Sequence, residues 1–248
     1  MEASKGNNSY VDKILRHVSE TDRVNMDYFY LESLTRTYES GNNDVLVQFP
    51  LSYEENDLLL NYSGYNYKHI NAVLRGIWTY EENGDIGKAN EYLSLAKQLS
   101  EIISSHPTTL NNNIMTYRGV DLNYFKQYGI ESLEDLKSLE GKYMMDRAFV
   151  STSIEENNSF FKKDNELGKN YNVKIEYMIP EEFRDGIFLD GNSSYSPNQR
   201  EFLINASNLT RVSSVVINED NTAVVKATVI PKELYDEYYR TKAGNVSK

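Results

Sequence analysis

The chain has 248 residues, enough to bury a sizeable core, and a hydrophobic fraction of 40% that fits a folded protein. It has no cysteine, which excludes disulfides, thiolate metal sites and cysteine nucleophiles. A net charge of −11 opposes general attraction to nucleic-acid phosphates, and no apolar run reaches the roughly 18 residues of a membrane span.

The first part of the chain reads as helical. Tyr10 to Val18 and Met26 to Tyr38 are predicted helices, with Thr21 or Asp22 available to cap the second. Tyr53 to Tyr62 and Tyr65 to Tyr80 follow. In the latter, Ile70, Val73, Leu74 and Ile77 recur at helical spacing and form an apolar stripe. Gly84 and Asp85 interrupt the pattern, and Ile86 to Ser104 makes another helix that stops before Pro107. The second part is rich in Val, Ile, Phe and Thr. Strands are predicted at Ile114 to Tyr117, Ala148 to Ser153, Val173 to Ile179, Phe202 to Ile204, Arg211 to Asn218 and Ala223 to Ile230. Leu122 to Tyr128 and Ser132 to Leu139 read as short helices between the first two. Helices first and strands second predict an α+β fold around one core, with residues 242–248 expected to fray.

Three short segments at strand ends carry chemistry. Arg118, followed by Gly119, has a planar guanidinium suited to clamping phosphate, although an arginine there is ordinarily a solvated charge or an ion pair. Glycine would let backbone and ligand approach closely. Ser151, Thr152 and Ser153 put three hydroxyls on a strand with an apolar lead-in, where buried hydroxyls need partners. No histidine lies near them in sequence, so a nucleophilic triad is poorly supported. Gln199 and Glu201, two apart, share one face of a strand. The histidines His17, His69 and His106 lack metal-ligand spacing, and no metal is expected. No Gly-x-Gly-x-x-Gly occurs, which argues against a hydride-transferring dinucleotide enzyme.

The order Arg118, Ser151-Thr152-Ser153, Gln199-x-Glu201 resembles the bacterial toxin-type mono-ADP-ribosyltransferases, and is similar to the Rho-modifying clostridial exoenzymes. Upstream, Asn61 to Tyr65 and then Ile70 to Arg75 match that family's helix with an aromatic, an Asn and a Leu-Arg pair. The resemblance covers residues 55 to 230. It implies a single ADP-ribosyltransferase domain over 1–248, with N-terminal helices (to about 106) packed on a two-sheet β core (about 107 to 232). It implies NAD as a consumed substrate, cleaved at its nicotinamide–ribose bond. Glu201 is then the catalytic carboxylate, positioned by Ser151, with Arg118 on the pyrophosphate or adjoining ribose. Thr152 and Ser153 support the strand, and Gly119, Asn71 and Arg75 approach NAD. For Arg75 the ordinary alternative is a helix-surface salt bridge. Phe160 or Phe161, with Lys162 or Lys163, falls where the family has an aromatic that stacks on nicotinamide and a cation, more often arginine, that meets phosphate.

Acceptor choice follows the same resemblance. Gln199 before Glu201 is similar to enzymes that modify asparagine on Rho GTPases, and to a branch that modifies guanine; a carboxamide both donates and accepts. Tyr195 would supply the aromatic that meets a target protein, at a spacing one residue longer than in the Rho-modifying enzymes. The expected acceptor is a host protein, with asparagine or arginine of a small GTPase first. A plain NAD glycohydrolase and a guanine- or nucleotide-directed transferase are the alternatives. The family implies a secreted bacterial protein, monomeric and acting in host cytosol.

Overall fold

The structure, a computed structural model, describes residues 51–77, 86–158, 171–189 and 200–235. The helices predicted at Tyr10 to Val18 and Met26 to Tyr38, and the tail, lie outside these.

Ser52 opens α1 (Tyr53–Asn61) with a reciprocal cap. Its hydroxyl accepts from the Glu55 amide at 3.2 Å, and the Glu55 carboxylate accepts from the Ser52 amide at 2.7 Å. Two backbone donors that a helix start leaves unsatisfied are thereby met. The chain then widens into one π-helical stretch, Tyr62–Asn66, and tightens again as α2 (Tyr67–Arg75). Gly76 ends α2 at φ 72°, a left-handed conformation that glycine adopts without a side-chain clash. Of the helix predicted from Tyr65 to Tyr80, α2 thus ends at Arg75 and residues 78–80 lie outside the described ones; Ile77, last of the apolar stripe, is left 61% exposed. The long helix α3 (Ile86–Ser105) runs as its sequence predicts.

Eight strands follow among the described residues: β1 (Ile114–Val120), β2 (Tyr143–Met145), β3 (Val150–Ser153), β4 (Val173–Ile179), β5 (Gly186–Phe188), β6 (Glu201–Ile204), β7 (Leu209–Ile217) and β8 (Ala223–Ile230). They form one mixed sheet, ordered β2-β7-β8-β4-β1-β3-β6-β5, in which β4 and β8 run parallel and the other neighbours antiparallel. The seam is at β1 and β3, which share the single pair Tyr117↔Ser153. The expected two-sheet core therefore takes the form of two sheet halves, five strands and three, hinged at that pair.

Successive strand residues face opposite sides, and β6 uses this to join two cores. Phe202 and Ile204 pack with Ile175, Val212 and Val225 of the five-stranded half. Leu203 packs with Leu59, Ile70 and Leu99 of the helices. The three-stranded half is thus a middle layer, and Glu201 shares its face with Leu203, toward the helices.

Candidate active site

The site forms where the β1–β3 ladder stops. Continuing the register would set Gly119 opposite Ser151, but no pair forms there. Instead Arg118 Nη1 donates to the Ser151 carbonyl at 3.4 Å. β1 itself is firmly placed, since Arg118 pairs with Ile175 and Gly119 with Lys174 in an unbroken ladder to β4.

Across the β3–β6 ladder, Ser153 stands opposite Glu201 and Ser151 opposite Leu203. Ser151 and Glu201 are therefore diagonal neighbours on one face, within reach of each other. The Ser151 hydroxyl donates to Glu201 Oε1 at 2.5 Å, and Glu201 is only 7% exposed. The other hydroxyls bond the protein's own backbone. Thr152 donates to the Phe202 carbonyl at 2.8 Å, and Ser153 accepts from the Glu155 amide at 3.0 Å. Just before Glu201, Arg200 takes φ 45°, an uncommon conformation for a residue with a side chain, while its carbonyl accepts from the Ile154 amide at 3.1 Å. Local backbone strain thus sits one residue from the carboxylate.

Side chains from the helices complete the surroundings. The Tyr62 ring meets Phe149 edge-on at 5.3 Å, and its hydroxyl accepts from Asn71 Nδ2 at 3.2 Å. Burial pushes the Tyr62 phenol up; the Asn71 bond opposes this, Glu201 adds to it, and Arg118 and Arg75 oppose it. One hydroxyl thus feels the helix motif and the strand motifs together. Arg118 lies over the Tyr124 ring, 5.6 Å from its centre, in a cation–π contact. Burial raises the Tyr124 phenol well above its usual range and Tyr177 to about 12.

Arg75 forms an ion pair, but not on the helix surface. Its Nε and Nη2 donate to the two oxygens of Asp146 at 3.0 and 2.7 Å. Burial alone would lower the guanidinium's affinity for its proton; Asp146 more than reverses that, so Arg75 is held charged. Asn71 has an equally internal contact, in its bond to Tyr62, while its Oδ1 is buried with no hydrogen-bond partner among the described residues. The structure thus brings together Arg118, Ser151, Glu201, Asn71 and Arg75. Gln199, Tyr195, Phe160, Phe161, Lys162 and Lys163 lie outside the described residues. Among the described residues no group of acidic or histidine side chains is arranged to hold a metal.

Sequence reasoning passed over Asp146, Tyr124 and Tyr177. Asp146 left one signal, an acidic residue beside Arg147 within an approach to β3 that is apolar on either side, Met144-Met145-Asp146-Arg147-Ala148-Phe149.

A helix-backed mixed sheet thus carries an arginine, a serine and a buried glutamate on three neighbouring strands, the arrangement that the resemblance implied. The chain belongs to the ADP-ribosyltransferase exoenzyme family, whose model matches residues 30–232. It is accordingly a mono-ADP-ribosyltransferase of the bacterial toxin type, with NAD as its substrate. Solved structures agree in fold. Plx2a, an ADP-ribosyltransferase toxin from Paenibacillus larvae, is 20% identical with a TM-score of 0.54, over 85% of this chain and 96% of that one. The Clostridium limosum C3 exoenzyme is 17% identical with a TM-score of 0.54, over 84% and 92%. C3stau2 from S. aureus, solved with NAD, is 17% identical with a TM-score of 0.56, over 87% and 97%. A search of curated proteins found no match.

Proposed function

We propose that Glu201 is the catalytic carboxylate and that ADP-ribose passes from NAD to a side chain of a host protein, an asparagine of a Rho-type GTPase being the first acceptor to test and arginine the second. The observation that carries this reading is the Ser151 hydroxyl fixed on a buried Glu201, beside Arg118.

As the glycosidic bond breaks, its electron pair goes to the pyridine nitrogen and nicotinamide leaves neutral. The ribose carbon is left electron-poor, like an oxocarbenium ion. A carboxylate held in place, with no reorganisation needed, stabilises that charge. The acceptor nitrogen then bonds to the same carbon and loses its proton. Ser151 keeps Glu201 in position. Arg118, braced by Tyr124, takes the pyrophosphate or the adjoining ribose, and Asn71 and Arg75 approach the phosphates. Phe160 or Phe161 stacks on the nicotinamide and Lys162 or Lys163 meets a phosphate, while Gln199 and Tyr195 meet the acceptor. The protein acts after secretion, in host cytosol.

The test is incubation with labelled NAD and host lysate, then with a purified Rho-type GTPase. Label in protein, and nicotinamide release that rises with lysate, are expected. Label confined to nucleic acid or nucleotide overturns the protein acceptor. Nicotinamide release indifferent to lysate, with the label recovered only as free ADP-ribose, makes water the acceptor.

A further inference from the structure

Asp146 ties three parts of the molecule together. Its carboxylate accepts from Arg75 Nε at 3.0 Å and Nη2 at 2.7 Å, at the end of α2. Oδ1 also accepts from the Ala148 amide at 3.0 Å, where the chain approaches β3. The Asp146 carbonyl accepts from the Ser207 amide at 3.0 Å, in the turn after β6. The residue is 5% exposed, so these bonds must offset the removal of a charge from water.

The pair divides the guanidinium of Arg75. The edge made by Nε and Nη2 is occupied, Nη1 has no hydrogen-bond partner among the described residues, and 21% of the side chain stays exposed. A planar fork suits this division, because fixing one edge fixes the direction of the remaining donors. Tyr62 and Tyr177 both feel Arg75 and Arg118 electrostatically, so the two guanidiniums share one neighbourhood.

We propose that Asp146 is a positioning residue for NAD binding: it grips one edge of Arg75 so that the free edge is presented to a phosphate of the dinucleotide. The proposal rests on the reading of Arg75 as an NAD ligand. Two effects of Asp146 oppose each other. Its charge offsets that of Arg75 and weakens the pull on phosphate. Its grip removes the rotamer freedom that an untethered arginine would surrender on binding, and keeps the side chain from turning to water. With a two-bond fork, at 3.0 and 2.7 Å, onto a buried carboxylate, the grip outweighs the offset.

Steady-state kinetics of Asp146→Asn test this, alone and combined with Arg75→Gln, a pair that leaves no unpartnered buried charge. Asp146→Asn is expected to raise the KM for NAD about tenfold, the size of one charged hydrogen bond, with kcat within about threefold. In the Arg75→Gln background the same substitution should raise KM no further, since both act through one contact. Unchanged KM with a lowered melting temperature would make Asp146 merely structural. A lower KM would mean that charge offset dominates, and additive effects would mean that Asp146 does not act through Arg75; any of these overturns the proposal. If Asp146→Asn does not fold, Arg75→Lys keeps the charge but loses the fork, and an unchanged KM there overturns it equally. Calorimetric NAD binding to Glu201→Gln separates this from the catalytic reading. Loss of turnover in that variant with normal binding upholds Glu201 whatever Asp146 does.

Discussion

Glu201 begins β6 almost out of contact with water, and a carboxylate so placed must be hydrogen-bonded to avoid a large desolvation cost. Ser151 supplies one such bond from the neighbouring strand. If the charge of Glu201 stabilises an electron-poor ribose, Glu201→Gln keeps the shape and removes the effect. Nicotinamide release should then fall on the order of 10²–10³, with NAD binding retained. Ser151→Ala should be milder, about tenfold, because the carboxylate stays but loses one charge-assisted bond. Assay of nicotinamide release checks both, and near-normal turnover in Glu201→Gln would sink the assignment. These residues were picked out in sequence by the order Arg118, Ser151-Thr152-Ser153, Gln199-x-Glu201 and its resemblance to the family; strand alternation alone left each of them an ordinary reading. Arg75 was legible only in part. Its partner lies 71 positions away, and nothing local in the α2 sequence points to Asp146.

At the scale of elements, β4 and β8 were read with their full bounds, because both are long runs of β-branched and apolar residues buried in the sheet. β2 was missed, and β5 was reached only through the family resemblance of Gly186 to Gly191, since three residues are too few for a period to appear. The end of α2 was overrun because the apolar stripe continues to Ile77, whereas the backbone turns at Gly76. The Ser52-x-x-Glu55 start, a capping box, was present in the sequence and went unused. β5 also shows why its first residue is glycine. A Cβ on Gly186 would lie 2.6 Å from the Phe202 ring and 2.9 Å from that of Phe183, both fully buried. Neither ring has room to withdraw, so Gly186→Ala should destabilise the protein by about 1–3 kcal/mol through overpacking. Denaturant unfolding measures this. Since β5 pairs with β6, the strand that carries Glu201, the shift should also reduce NAD cleavage at temperatures where the fold is intact.

For the whole molecule, the decisive feature is that one short strand belongs to both cores. Phe202 and Ile204 anchor β6 to the five-stranded half, Leu203 anchors it to the helices, and Glu201 is carried between them. The seam between sheet halves adds little, being one residue pair, so most of the cohesion runs through side chains packed on the two faces of β3, β5 and β6. If the helical layer could detach, the carboxylate would lose its cover, and activity would fail before the sheet melted. The packing argues otherwise: Leu99, fully buried on α3, contributes to the cluster that holds Leu203, Ile187 and Phe149. Leu99→Ala leaves a cavity there and should cost about 2–5 kcal/mol. For a chain of this size that lowers the melting temperature by roughly 4–20 °C. Helical and sheet signals in circular dichroism, and NAD cleavage, should move together along a single transition. A variant in which helical signal and activity melt first, leaving an unshifted sheet transition, would show that the two cores are not coupled through β6.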